Sequence, residues 1–350
     1  MRLAGMILAC AAGAAVAMSA VGCRHQNAEA GMAAVAPAQP LKRTGDEIVV
    51  AGHYFHTGSP VVLWTDPGGY DAYRVERRFV PIDVADWNHS KDKLESPNRY
   101  GLRYMLNGKP ILTPEQLEMV RGGAWPLELL QEKVDQFVIH YDVDALSRNC
   151  FRTLHDARDL SVQFMLDIDG TIYQTLDCKE RAWQATKANS RSVGIEIANI
   201  GSYSINQSTA PLAEWYGKDE FGRTRITIPA RFKDGGVRTP GFIGYPFYPH
   251  MIVGEIQGRK QRQYDFTPEQ YRALAHLTAT LCTVFPKIKC DYPRDENGKL
   301  IRHALSDDQY NAYQGILGHY HVQTDKSDPG PAFQWDLVVD TAREMMMQPK

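Results

Sequence analysis

Apolar and polar positions divide this chain into a turn-rich first part and a body in which strands and helices alternate. Ile48-Val49-Val50 and Val61-Val62-Leu63-Trp64 are short apolar runs bounded by glycine and proline, and both read as strands. Thr113-Pro114-Glu115-Gln116 predicts a helix start: threonine caps, proline suits the first turn, and Gln116 reaches back to close a capping box. Residues 134 to 141 predict a buried strand. Residues 147 to 158 predict a helix with Cys150, Phe151 and Leu154 facing inward. The runs 162 to 166 and 171 to 174 flank Asp169-Gly170, a strong hairpin signal, and residues 192 to 198 predict a further strand. Residues 202 to 264 read as a long irregular insertion, rich in Tyr, Pro, Gly and charge, of the kind that serves as a groove wall or lid. After it, Phe266-Thr267-Pro268-Glu269-Gln270-Tyr271 opens a helix with a second capping box and a Phe266–Tyr271 staple, and Leu274, Leu277 and Leu281 carry it on. A last helix is expected from about Trp335. This order predicts an α/β fold with a mixed central sheet flanked by helices, preceded by an N-terminal extension over 46–125.

The first residues bear on compartment. Arg2 is followed by small and apolar residues through Ala20, and Ala20-Val21-Gly22-Cys23 then places small residues before a cysteine. Such a stretch is too short to span a membrane and reads as a signal for export. Its ending resembles a bacterial lipobox, which makes 1–22 a lipoprotein signal peptide and Cys23 the lipidated residue. The alternative is an ordinary signal peptide with Cys23 incidental. Residues 23–45, rich in Ala, Gln and Pro, suit a flexible tether. The expectation is an exported protein, lipid-anchored in the periplasm; Arg24 after the cysteine favours the outer membrane in a cell with two. A net charge of −2 gives no reason to expect nucleic acid as a partner. Cys150, Cys178, Cys282 and Cys290 remain beyond the leader, and export predicts two disulfides among them. The local pairings are Cys282 with Cys290 and Cys150 with Cys178.

Chemistry concentrates near the C-terminus. Gly318-His319 is followed by Lys326-Ser327-Asp328-Pro329-Gly330-Pro331, so a histidine and a carboxylate are held close by a stiff turn. These are two of the three protein ligands of a catalytic zinc site, which leaves a fourth position for water and lowers its pKa to roughly 7. His140, ending the apolar run Phe137-Val138-Ile139, is the candidate third ligand. His321 is the internal rival of His319. His53 and His56 have no identified carboxylate or cysteine to complete a set and read as structural or surface residues.

The ordered set Phe137-Val138-Ile139-His140, Asp169-Gly170-Thr171-Ile172-Tyr173-Gln174, Arg181-Ala182-Trp183, Ser192-Val193-Gly194-Ile195-Glu196 and Gly318-His319 through Phe333 resembles the zinc N-acetylmuramoyl-L-alanine amidases. That family includes phage amidase lysozymes, cell-wall recycling amidases and peptidoglycan-recognition proteins. The resemblance covers roughly residues 130 to 340 and makes 126–347 a zinc amidase domain. It implies one Zn2+ per chain, held by His140, His319 and Asp328, with Glu196 as general base and Lys326 as donor to the developing oxyanion. It also implies peptidoglycan or muropeptides as substrate, cleaved between N-acetylmuramic acid and L-alanine. Trp183, Asn189 and Arg191 are candidate substrate-groove residues. Gln184 departs from the family pattern, which often has histidine after the Ala-Trp pair. The rival readings are a non-catalytic peptidoglycan-binding lipoprotein on the same fold, and a tether whose 46–125 region binds a partner.

Overall fold

A computed structural model describes residues 42–74 and 100–348. The leader, Cys23 and most of the tether lie outside the described residues. From Arg43 onward the described residues belong to one compact unit.

Its centre is a six-stranded sheet formed by β1 (Val61–Leu63), β2 (Gln136–Tyr141), β3 (Phe164–Leu166), β4 (Ile172–Gln174), β5 (Ser192–Ile197) and β8 (Gly315–Gly318), in the order β8-β2-β5-β3-β4-β1. β8, β2, β5 and β3 run parallel, β4 turns back antiparallel to β3, and β1 is parallel to β4. The mixed sheet and the Asp169-Gly170 hairpin follow the sequence expectation.

Strand alternation decides what each face does. On β2 and β5, Phe137, Ile139, Val193, Ile195 and Ile197 enter the main core. There they meet Leu274, Leu277 and Leu281 of α4 (Pro268–Val284) and Val338 and Val339 of α5 (Trp335–Met347). Both α4 and the earlier α1 (Pro114–Arg121), which α2 (Leu127–Lys133) follows, begin with the capping boxes read from sequence. The opposite face is covered in two patches. Cys150, Phe151 and Leu154, from α3 (Ser147–Phe151) and its π-helical continuation Arg152–Ala157, pack on Val62, Met165 and Tyr173. Ala185, Ala188, Leu305 and Tyr310 pack on Val138 and Leu317. β5 and the His140 end of β2 lie between these patches, and there the sheet carries polar side chains.

The 202–264 region is more ordered than its composition suggests. It holds a helix (Ala210–Trp215), a hairpin (Tyr216–Lys218 with Thr224–Ile226), and the antiparallel pair β6 (Ile252–Ile256) and β7 (Arg259–Gln263), with Tyr203–Ser204 on the free edge of β7. Trp215 stacks with Phe232, and Tyr216 with Tyr264, in a satellite core that also takes in Leu146, Ile168 and Ala198 from the body. These aromatics stand far apart along a chain broken by Pro and Gly, so no periodicity betrays the packing.

The expected disulfides are absent: Cys150, Cys178, Cys282 and Cys290 are all free thiols. Cys150 lies in the patch under α3 while Cys178 lies in the main core across the sheet, so that local pairing is blocked by topology. Cys282 and Cys290 are neighbours close enough to shift one another's proton affinity, and the Cys290 thiol points at Val339 O. Among the described residues no helix is long and apolar enough to cross a membrane.

The 46–125 segment supplies β1 to the central sheet and also inserts a charged side chain. Arg103 is fully buried. Its guanidinium donates to the carbonyls of Cys178 (3.1 Å), Glu180 (2.8 Å) and Asn189 (3.1 Å), and burial lowers its pKa to about 10. Those carbonyls flank the loop between Arg181 and Asn189. Replacing Arg103 with methionine keeps the bulk but strands the carbonyls of Cys178 and Asn189, that of Glu180 keeping the Gln163 amide as donor, and should cost about 3 kcal/mol in urea unfolding. An unchanged unfolding midpoint would show that the extension is not anchored there.

Candidate functional site

Register brings the site together. In the parallel pairing of β5 with β2, Glu196 lies beside His140, and in that of β8 with β2, Gly318 lies beside Ile139. His319, the next residue, therefore leaves β8 level with His140 and opens the helical turn His319–Val322. All three residues sit at the C-terminal ends of parallel strands, where open α/β sheets place their ligands.

Asp328 closes the group. His140 Nδ1 is 2.8 Å and His319 Nδ1 is 3.0 Å from Asp328 Oδ2, and all three side chains are buried. Burial penalises the charge on Asp328, yet the two imidazoles outweigh it and hold the carboxyl far below its ordinary range. Burial, aided by His319, lowers the pKa of His140; at His319 burial acts the same way but Asp328 prevails and the pKa rises. Two imidazole nitrogens and a carboxylate oxygen within 4.8 Å of one another form a donor set that suits a divalent cation.

The turn bearing Asp328 is braced on both sides. Gly330 has φ +87°, and a Cβ there would stand 2.1 Å from Gln263 Oε1. Gln263, on β7, donates to Pro329 O (3.1 Å) and accepts from Ala332 N (3.1 Å). On the other side Tyr141 OH is 2.7 Å from Ser327 Oγ and 3.0 Å from Ser202 Oγ. Both the insertion and the end of β2 thus hold the turn.

Around the donor set is a cavity of about 510 Å³ lined by Glu196, Lys326, Trp183, Gln184 and Arg181 among others. A carboxylate oxygen of Glu196 is 4.0 Å from His140 Nδ1. Burial, then Asp328, Asp142 and Asp144, push the Glu196 pKa well above its usual range, and Arg158 opposes them. Lys326 reaches into the same cavity, its ammonium 3.4 Å from Asp325. Trp183 lines the wall with the Arg181 guanidinium 4.9 Å over its ring.

Other sequence candidates fall elsewhere. Arg191 is not in the cavity: its guanidinium is buried against Asp135, with contacts of 2.7 and 2.5 Å, and donates to Asn311 O and Tyr313 O. It is a structural ion pair, not a groove residue. Asn189 borders the cavity, but its side-chain carbonyl is taken by the amides of Gln184 (3.1 Å) and Ala185 (2.7 Å). His321 is fully buried, accepting from Gly318 N (2.9 Å) and facing Ile301 O at 2.7 Å; burial lowers its pKa to about 3. It lies outside the donor set and off the cavity rim. His56 meets Asp46 and Glu47, carboxylates the sequence did not supply to it. Glu47 is nevertheless occupied by the backbone amides of Thr44 and Gly45. Two residues were not singled out as partners of the ligands: Gln184 Oε1 is 2.5 Å from His140 Nε2, and Gln323 Oε1 is 2.7 Å from His319 Nε2. The four-residue step from His319 to Gln323 on a helical turn was the available signal.

Comparison with known proteins gives the family. The description of N-acetylmuramoyl-L-alanine amidase matches residues 130–331. No curated protein matches the chain. Among solved structures, a selenomethionine AmpD derivative is 17% identical, with 60% of this chain and 86% of that one covered and a TM-score of 0.29. The amidase AmiD from E. coli, solved with the substrate anhydro-N-acetylmuramic acid-L-Ala-D-gamma-Glu-L-Lys, is 18% identical with a TM-score of 0.34; 60% of this chain and 57% of AmiD are covered. The amidase LysCS from Clostridium intestinale is 14% identical, with 61% and 86% covered and a TM-score of 0.32.

The donor set makes a direct prediction. Titrating zinc into protein stripped with a chelator should show one tight site by calorimetry and raise the melting temperature. Asp328→Ala should abolish both effects; a variant that still binds zinc as tightly would disprove this ligand set.

Proposed function

The chain belongs to the N-acetylmuramoyl-L-alanine amidase family, and from that premise we propose that it is a zinc-dependent peptidoglycan hydrolase. On this reading it cleaves the amide between N-acetylmuramic acid and the L-alanine of the stem peptide. The observation that carries the proposal is the convergence of His140, His319 and Asp328 beside Glu196 in one cavity. Bound by those three residues, zinc would supply Lewis-acid polarisation of the scissile carbonyl and an acidified water.

The chain's own residues do the rest. Glu196 takes the proton from the attacking water and holds it at its carboxylate. Its raised affinity for a proton makes it competent to carry that proton to the leaving nitrogen. Lys326, on the same cavity wall, donates to the carbonyl oxygen as negative charge grows there. Trp183 offers an aromatic face, and Arg181 beside it a cationic edge, to a sugar and a peptide carboxylate. Gln184 cannot deliver a proton at neutral pH, so acid–base work rests on Glu196 alone.

The protein should be mixed, zinc-loaded, with purified peptidoglycan and separately with small muropeptides, and the products read by mass spectrometry. Stem peptides beginning at L-alanine are expected from one or both substrates. Glu196→Gln should lower the rate by about 10²–10⁴-fold and Lys326→Ala by about 10²–10³-fold, with zinc still bound. No cleavage of either substrate by zinc-loaded protein that binds peptidoglycan would favour the non-catalytic binder.

The same proposal places the enzyme outside the cytoplasm, anchored by lipid on Cys23. Support comes from the apolar leader and the small residues before that cysteine. Palmitate labelling of cells should mark the protein, and Cys23→Ala should lose the label and leave the membrane fraction. A labelled Cys23→Ala protein would overturn the assignment.

A further inference from the structure

We infer that Gln184 and Gln323 are positioning residues that fix both histidine ligands in the tautomer whose Nδ1 faces the cation, and that they do so with neutral amide carbonyls. The functional weight of this inference rests on the zinc-amidase reading; its geometry does not.

A neutral imidazole carries one N–H, and whichever nitrogen lacks it presents a lone pair. For His140 and His319 the nitrogen toward Asp328 is Nδ1, so a cation there requires the proton on Nε2. Each Nε2 has an amide oxygen in front of it, that of Gln184 at 2.5 Å and that of Gln323 at 2.7 Å. Amide orientation is the critical point, because a flipped glutamine would face Nε2 with N–H and force the wrong tautomer. At Gln323 the amide nitrogen is directed at a carboxylate oxygen of Asp325 (3.4 Å), which only accepts. That leaves its oxygen for His319. At Gln184 the amide nitrogen donates to Ser192 Oγ at 3.0 Å.

The chain is arranged around Gln184. Asn189 holds the backbone amides of residues 184 and 185. Ser192 and Gly194 lie on the same face of β5 as Glu196, and a Cβ on residue 194 would stand 2.2 Å from Gln184 Oε1. The glycine therefore leaves the space this side chain fills. A packing residue would need no such set of partners; an acceptor that must be aimed does. A carboxylate in its place would draw the Nε2 proton and make the imidazole a more anionic donor, leaving less of the cation's charge for the carbonyl.

The test measures zinc affinity by competition with a chromophoric chelator, and the visible spectrum of the cobalt-substituted protein, without substrate. Gln184→Met keeps the bulk and removes the acceptor; it should weaken zinc binding about 10- to 100-fold and alter the cobalt bands. Gly194→Ala changes no group near the cation, yet displaces Gln184, and should give a loss of the same kind in a protein whose melting curve is otherwise intact. Gln184→Glu restores an acceptor and should return affinity to wild-type level or above. Wild-type affinity in Gln184→Met and Gly194→Ala overturns the inference, as does a loss in Gln184→Glu equal to that in Gln184→Met, which would reduce the residue to packing. If no muropeptide is cleaved but affinities divide as described, the amidase reading fails and the inference stands.

Discussion

Two imidazole nitrogens and one carboxylate oxygen share a single small space in this protein, and much of the surrounding fold serves to keep them there. Convergent, desolvated acceptors are unfavourable unless positive charge lies among them, so the chain cannot leave their positions to side-chain preference. It fixes them with backbone: His140 by the end of β2, His319 by the first residue after β8, and Asp328 by a turn. The turn alone has no strand pairing to hold it. It is accordingly tied to β7 through Gln263 and to β2 through Tyr141 and Ser327.

That arrangement gives the accessory segments a purpose that composition alone does not reveal. The 202–264 insertion does more than decorate a rim, because Gln263 at the end of β7 stands directly against the Asp328 turn. The 46–125 segment likewise reaches the site from behind. Arg103 grips the carbonyls of Cys178, Glu180 and Asn189, and the loop ending at Asn189 carries Trp183 and Gln184. The donor set is thus braced by two segments that lie outside the parallel strands carrying His140 and His319.

What was legible in the sequence was whatever is local or strictly periodic. The capping boxes at Thr113 and Thr267, the Asp169-Gly170 hairpin and the alternation that turns Glu196 away from Val193, Ile195 and Ile197 are short-range facts. The ligand candidates were legible because each occurs in a run with its own signature. Arg191 was misread because its partner, Asp135, is brought to it by the parallel pairing of β5 with β2; a buried arginine and a ligand-binding one look alike in sequence. The Cys150–Cys178 pairing was misread because spacing says nothing about which face of a sheet receives each residue, whereas Cys282 and Cys290 do come together. The order within 202–264 was hidden because its satellite core joins Trp215 to Phe232 and Tyr216 to Tyr264 across breaks of proline and glycine.

Electrostatics then suggest why the ligands' outer partners are amides. Glu196 already feels Asp328, Asp142 and Asp144, and these carboxylates together with burial raise its pKa; Arg158 alone among its strongest influences opposes them. On the proposed mechanism Glu196 must be ionised to accept a proton, and each further negative charge nearby leaves less of it ionised at neutral pH. Gln184 sits over β5 only one alternation from Glu196 along the strand face. A carboxylate at that position would orient His140 as well, but it would add a fourth negative neighbour to Glu196, whose ionised form the proposed mechanism uses. The amide separates the two requirements: it aims the imidazole without charging the pocket. The departure at Gln184 from the family's frequent histidine is thereby compatible with the proposed catalysis.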